Sequence, residues 1–222
     1  MTEKFSEVLR EENIEEWHKT INHRFSKELF DGTIADGVMA GYLVQDYRFQ
    51  DGFIALLGAA IVSADDPQAR LRFARFVGEV AGDEHTYFVK SFEAFHLSAA
   101  DREAIPDTSA TASFKKIFKE ATDTRNYAAV LGVLLVTEWI YKDWAAQAPV
   151  PAERPQSFIY TEWIELHEYQ GFLDIVKFLR SEMDRVGVAD QAMARKYFKT
   201  TVDAEVDFFN SSYAAPIEGI ER

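Results

Sequence analysis

Apolar residues recur at three- and four-residue steps over long stretches of the chain, and few short alternating runs interrupt them. That spacing puts a continuous apolar stripe on one side of a helix and gives a half-buried strand nothing to build on, so the chain reads as all-α. The pattern predicts about seven helices, over 4–29, 36–63, 67–95, 109–122, 126–147, 156–185 and 188–212. Punctuation supports the breaks. "DGT" at 31–33 stops the first helix, "SADDPQ" at 63–68 separates the second and third, and "DTSATAS" at 107–113 offers caps for the fourth. Pro149, Pro151 and Pro155 turn the chain between antiparallel helices. Composition is alike on both sides of that loop, and 222 residues suit one large core, so a single domain over 1–222 is expected.

A formal charge of −13 repels phosphate backbones and anionic lipids, so neither nucleic acid nor a membrane surface is an expected partner. The N-terminus is charged and amphipathic, and no run of about 20 apolar residues occurs, which predicts a cytoplasmic protein. The absence of Cys excludes disulfides, thiolate metal sites and a cysteine nucleophile together. Eighteen Phe, nine Tyr and four Trp can fill a core or wall a pocket for a flat ligand.

Carboxylates on apolar helix faces are the sharpest signal. Asp46 shares its face with Met39, Tyr42, Leu43, Phe49 and Phe53, whereas Gln45 and Asp51 fall on other sides. Glu205 sits with Phe198, Val202, Phe208 and Phe209, while Asp203 and Asp207 point elsewhere. A buried acid without a partner costs several kcal/mol unless it is protonated or hydrogen-bonded, so such acids either tie helices together or do chemistry. Glu138 interrupts the apolar run "VLGVLLVTEWIYKDW"; it either lines a cavity or forms an ordinary surface pair with Lys142. His18, His23 and His96 read as surface or packing residues. No HExxH, ExxH, P-loop or dinucleotide fingerprint occurs.

With Asp46, Glu138, Tyr141 and Glu205 in view, the chain resembles the TenA/thiaminase II family. The resemblance runs through "NHRFSKELFDGTIA", "YLVQDYRFQDGF", "LLVTEWIYKDW", "IYTEWIELHEYQGF" and "AEVDFF", in that order. It implies a heme-oxygenase-like bundle that associates as a homodimer or homotetramer and needs no cofactor or metal. It also implies that Asp46 recognises the amino group of a pyrimidine, that Phe49, Phe114, Tyr141 and His167 flank the ring, and that Glu205 is the acid/base. The family's best-known lineage has a Cys nucleophile where Thr137 stands here; a second lineage lacks it and carries an E-x-x-Y pattern, matched by Glu138 to Tyr141. Members of that lineage hydrolyse amino-pyrimidine products of thiamin breakdown during salvage.

Other functions weigh against this one. A non-heme di-iron oxygenase on the same fold would use His85, Glu138 and His167, but Gly78, Gly171 and Asp174 stand where further ligands are expected. A non-catalytic pyrimidine-binding or regulatory bundle would explain the Phe and His replacements around the ring. A cofactor-free oxidase resembling pyrroloquinoline quinone synthase would need basic groups for a highly anionic substrate, and few are present.

Overall fold

A computed structural model describes residues 4–220, and it is all-helical among them. The chain forms α1 (Phe5–Glu11), α2 (Ile14–Ile21), α3 (Arg24–Asp31), α4 (Asp36–Ser63), α5 (Pro67–Glu79), α6 (His85–Ala94), α7 (Ala99–Ala104), α8 (Ser109–Thr124), α9 (Tyr127–Ala145), α10 (Phe158–Glu165), α11 (Gln170–Val186) and α12 (Gln191–Ala214). A π turn, Val80–Glu84, joins α5 to α6.

At the centre lies α9. Apart from Lys142 and Asp143, every one of its residues is buried, which is what a helix apolar on all sides requires. Helices α12, α11, α4, α8 and α2 pack around it. The Asn126 side chain starts α9 by accepting from the Ala129 N–H at 2.9 Å. Helix α4 is buried continuously from Val38 to Asp46, so Gln45 does not lie outside, as the sequence suggests, but inside. There it is fully engaged: it accepts from the Thr111 hydroxyl at 2.6 Å and the Thr108 N–H at 3.1 Å, and donates to the Pro106 carbonyl at 3.0 Å. These bonds tie α4 to the start of α8.

Two of the expected helices are broken and a third is locally widened. The stretch 4–29 becomes α1, α2 and α3 because Asn13 and Asn22 turn their amides onto the carbonyls of Leu9 and His18, at 2.8 and 2.9 Å, and end each helix. His23 then restarts the chain as an N-cap, its Nδ1 accepting from the Phe25 N–H at 3.1 Å. The stretch 67–95 keeps its course but widens at the π turn. The stretch 156–185 opens into a turn at Leu166–Tyr169, between α10 and α11. Helix α7, which the sequence reading leaves as loop, is held by a reciprocal capping box between Ser98 and Asp101.

Candidate active site

Positions 46, 49, 50 and 53 form one face of α4, and positions 138 and 141 one face of α9. The two faces meet the π turn and the α10–α11 turn around a cavity of about 60 Å³ that opens at one side past Asp83. Asp46, Phe49, Glu138, Tyr141 and His167 all line it, together with Thr137 and Trp163. Of the residues named from sequence, Phe114 and Glu205 are not among those that line it. The Phe114 ring backs Phe49 edge-on, 5.0 Å between centroids. Glu205 is only 1 % exposed, and its Oε1 has no hydrogen-bond partner among the described residues.

Glu138 is not a surface residue paired with Lys142. Lys142 donates instead to Asp143 at 3.0 Å, and among the described residues the Glu138 carboxyl accepts only from the Thr137 hydroxyl, at 3.4 Å. Burial pushes the Glu138 carboxyl up to about 8; the Thr137 contact opposes this and the Asp46 charge reinforces it. Asp46 rises to about 7, again through burial, with the nearby Tyr42 hydroxyl working the other way. One of its oxygens, Oδ2, is buried without a hydrogen-bond partner among the described residues. Glu205 is held well above the carboxylate range by burial and then by the charges of Asp46 and Glu138. The three acids thus share a region where not all can be ionised at once.

Aromatic rings fix the geometry. The Tyr141 hydroxyl meets that of Tyr42 at 2.9 Å, which joins α9 to α4 beneath the cavity. His167 packs against Trp163 and Tyr141, with centroids 4.6 and 4.9 Å away. Its Nδ1 lies 2.7 Å from the Trp163 carbonyl, which can only accept, so Nδ1 carries the proton and Nε2 is free to accept. Burial lowers its pKa to about 4, and the imidazole is neutral at physiological pH.

Glu84, on the π turn, also lines the cavity. The sequence reading passes over it, although its neighbours at three, four and seven positions, Val77, Val80, Tyr87 and Phe88, make the same apolar face that singles out Asp46. Its carboxyl is raised well above the usual range by burial and by Asp46 and Glu138. Gln50 donates to the Val80 carbonyl at 3.3 Å and so fastens the turn to α4. π turns of this kind are frequent at functional sites.

His85 does not line the cavity; its ring rests on Tyr47, 5.7 Å away. Among the described residues, no group of three or more His, Asp or Glu side chains is placed to hold a metal ion. A larger groove, about 800 Å³, runs between the starts of α4 and α8 and the end of α12. It has no unpartnered buried acid among the described residues, so the chemistry points to the smaller cavity. No helix among those residues is long and apolar enough to cross a membrane.

The all-helical bundle has the heme-oxygenase-like fold, and an aromatic, acid-lined cavity lies between its helices. The model of the TENA/THI-4/PQQC family matches residues 11–215, and the chain belongs to that family. Similar solved structures include a TenA homologue from Pyrococcus furiosus, at 22 % identity and a TM-score of 0.81, covering 94 % of this chain and 100 % of that one. A TenA family transcription regulator from Silicibacter sp. TM1040 is 20 % identical with a TM-score of 0.81, over 93 % and 95 % of the two chains. A protein described as a candidate TenA-like thiaminase, from Sulfolobus solfataricus P2, is 15 % identical with a TM-score of 0.74, over 95 % and 96 %. No curated protein matches the sequence.

Proposed function

We propose that this protein is a cysteine-independent hydrolase that cleaves a C–N bond in amino-pyrimidine products of thiamin breakdown, acting in the cytoplasm as a homodimer or homotetramer. The observation that carries this reading is Asp46, whose buried, unpartnered Oδ2 belongs to a side chain lining an aromatic cavity beside Glu138. A carboxylate there accepts from the exocyclic amine of an amino-pyrimidine, and Phe49 and Tyr141 offer faces or edges to a flat ring. Glu138 and Glu205 then divide the proton work. One takes a proton from water as its oxygen attacks; the other keeps the departing nitrogen protonated. Family membership and the likeness to a TenA-like thiaminase candidate support a thiamin-related substrate.

The direct test is whether protein stripped of metal releases ammonia from an aminomethyl-pyrimidine or formate from its formylamino derivative. Release of neither would overturn the reading. Asp46→Asn keeps the shape but loses the charge-assisted bond, so the affinity for an amino-pyrimidine should fall by about 1.5–3 kcal/mol. Calorimetry checks this, and unchanged affinity would make Asp46 a structural residue only.

A further inference from the structure

The walls of the cavity carry charge of one sign. Asp46, Glu79, Asp83, Glu84 and Glu138 line it, and no Lys or Arg does. At the rim, Glu79 is already served by the Tyr169 hydroxyl at 3.1 Å and by Arg72 at 3.5 Å, and Asp83 is exposed to water. Deeper in, compensation is missing. Among the described residues, Asp46 Oδ2 is buried without a hydrogen-bond partner, the Glu138 carboxyl has only the Thr137 hydroxyl, and the carboxyl of the half-buried Glu84 makes no hydrogen bond or ion pair. His167 adds no charge, being neutral. An adjoining surface depression shares Asp83, Leu166 and Tyr169 with the cavity and adds Glu165 and Glu162, the latter paired with Lys90 at 2.7 Å.

A ring held by Asp46 satisfies only one of these acids. A neutral hydroxymethyl arm offers a single O–H donor, whereas a protonated aminomethyl arm offers three N–H donors and the missing charge. We propose that Glu84, set into the wall by the π turn, is a specificity-determining residue that takes the ammonium of a cationic arm, and that the cavity rejects anionic, phosphate-bearing forms of the same pyrimidine. This rests on the amino-pyrimidine reading above and names the charge state of its substrate. The reaction then carries its own release step. The C–N bond of the arm breaks and a C–O bond to water forms; the amine keeps the bonding electron pair and takes up water's proton, so R–CH2–NH3⁺ and water give R–CH2–OH and NH4⁺. The alcohol no longer has a charge for Glu84 to hold.

Calorimetry on ice with an aminomethyl-pyrimidine, its hydroxymethyl isostere and the phosphate ester of that isostere tests the proposal. Benzylamine and benzyl alcohol form a second pair that lacks the pyrimidine. The aminomethyl form should bind about tenfold or more tighter than the hydroxymethyl form, and the ester should not bind measurably. Glu84→Gln should bring the first two within about threefold, Glu84→Asp should retain most of the preference, and Glu120→Gln, an exposed change on the outer side of α8, should leave it intact. Equal binding of the two pyrimidines to the unmodified protein would overturn the role of Glu84 and leave the pyrimidine reading standing. If neither pyrimidine binds while benzylamine does so through Glu84, the cation site stands and the pyrimidine reading falls. If no cationic probe binds, both fall.

Discussion

Glu138→Gln and Glu205→Gln should each lower kcat by about 10²- to 10⁴-fold while KM moves only a few-fold. The double variant should be little worse than the worse single one, because both carboxylates serve one proton-transfer sequence and the second loss has nothing left to disable. The pH profile should be a bell whose limbs belong to the coupled acids, and Glu205→Gln should erase one limb rather than shift both. Stability gives a second readout with a definite sign. The Glu138 carboxyl is raised to about 8, so between the ordinary carboxylate range and that value the folded protein holds a proton that the unfolded chain has released. Its contribution to stability is therefore present at low pH and lost as pH rises through that window. Glu138→Gln should flatten the fall in Tm between acid and mildly alkaline buffer, with Asp46, Glu84 and Glu205 responsible for the slope that remains. Full activity in Glu138→Gln, with the bell unchanged, would remove this residue from the mechanism.

The residue after Glu138 should behave in the opposite way. Trp139 is 1 % exposed and faces away from the cavity, edge-on to Trp17 at 5.3 Å. The guanidinium groups of Arg180 and Arg10 sit over its ring, 4.1 and 5.0 Å from the centroid. Glu7 pairs with both arginines and holds them there. Trp139→Ala removes the common surface on which α1, α2, α9 and α11 meet, and should cost about 3–5 kcal/mol in urea unfolding. Activity per folded molecule should stay within a few-fold of the starting protein. A loss below about 1 kcal/mol would mean that the surrounding helices collapse onto the vacated space.

The neighbouring pair also illustrates what the sequence reveals. Helices α4 and α9 are legible because their apolar runs are long and their ends carry turn residues, and Asp46 stands out because Met39, Tyr42, Leu43, Phe49 and Phe53 share its face. Glu138 is ambiguous by the same rule: Lys142 lies one turn away, and only the structure reveals that Lys142 turns to Asp143. Glu84 was there to be found by that rule, yet the adjoining His85 draws attention first. The fragmentation of the first helix was not legible, since Asn13 and Asn22 are tolerated inside helices and end them here through their own side-chain bonds. Gln45 reads as exposed only if α4 has one buried side, whereas its first half is wrapped on all sides.

Those three short N-terminal helices also govern the order in which the molecule can assemble. The Ser6 N–H donates to Asp184 at 2.8 Å, the Trp17 indole to Asp143 at 3.1 Å and the Tyr213 hydroxyl to Glu28 at 2.7 Å, while the His23 ring meets Asn210 at 3.2 Å. Each of these partners lies more than 120 positions along the chain. Closing such long loops is entropically costly, and no isolated helix of seven or eight residues is stable in water. During synthesis α1, α2 and α3 therefore leave the ribosome before the partners that claim their apolar sides, and their docking waits for α9, α11 and α12 to follow. Made before their partners, these helices are secured late, and until then they stay open to a chaperone.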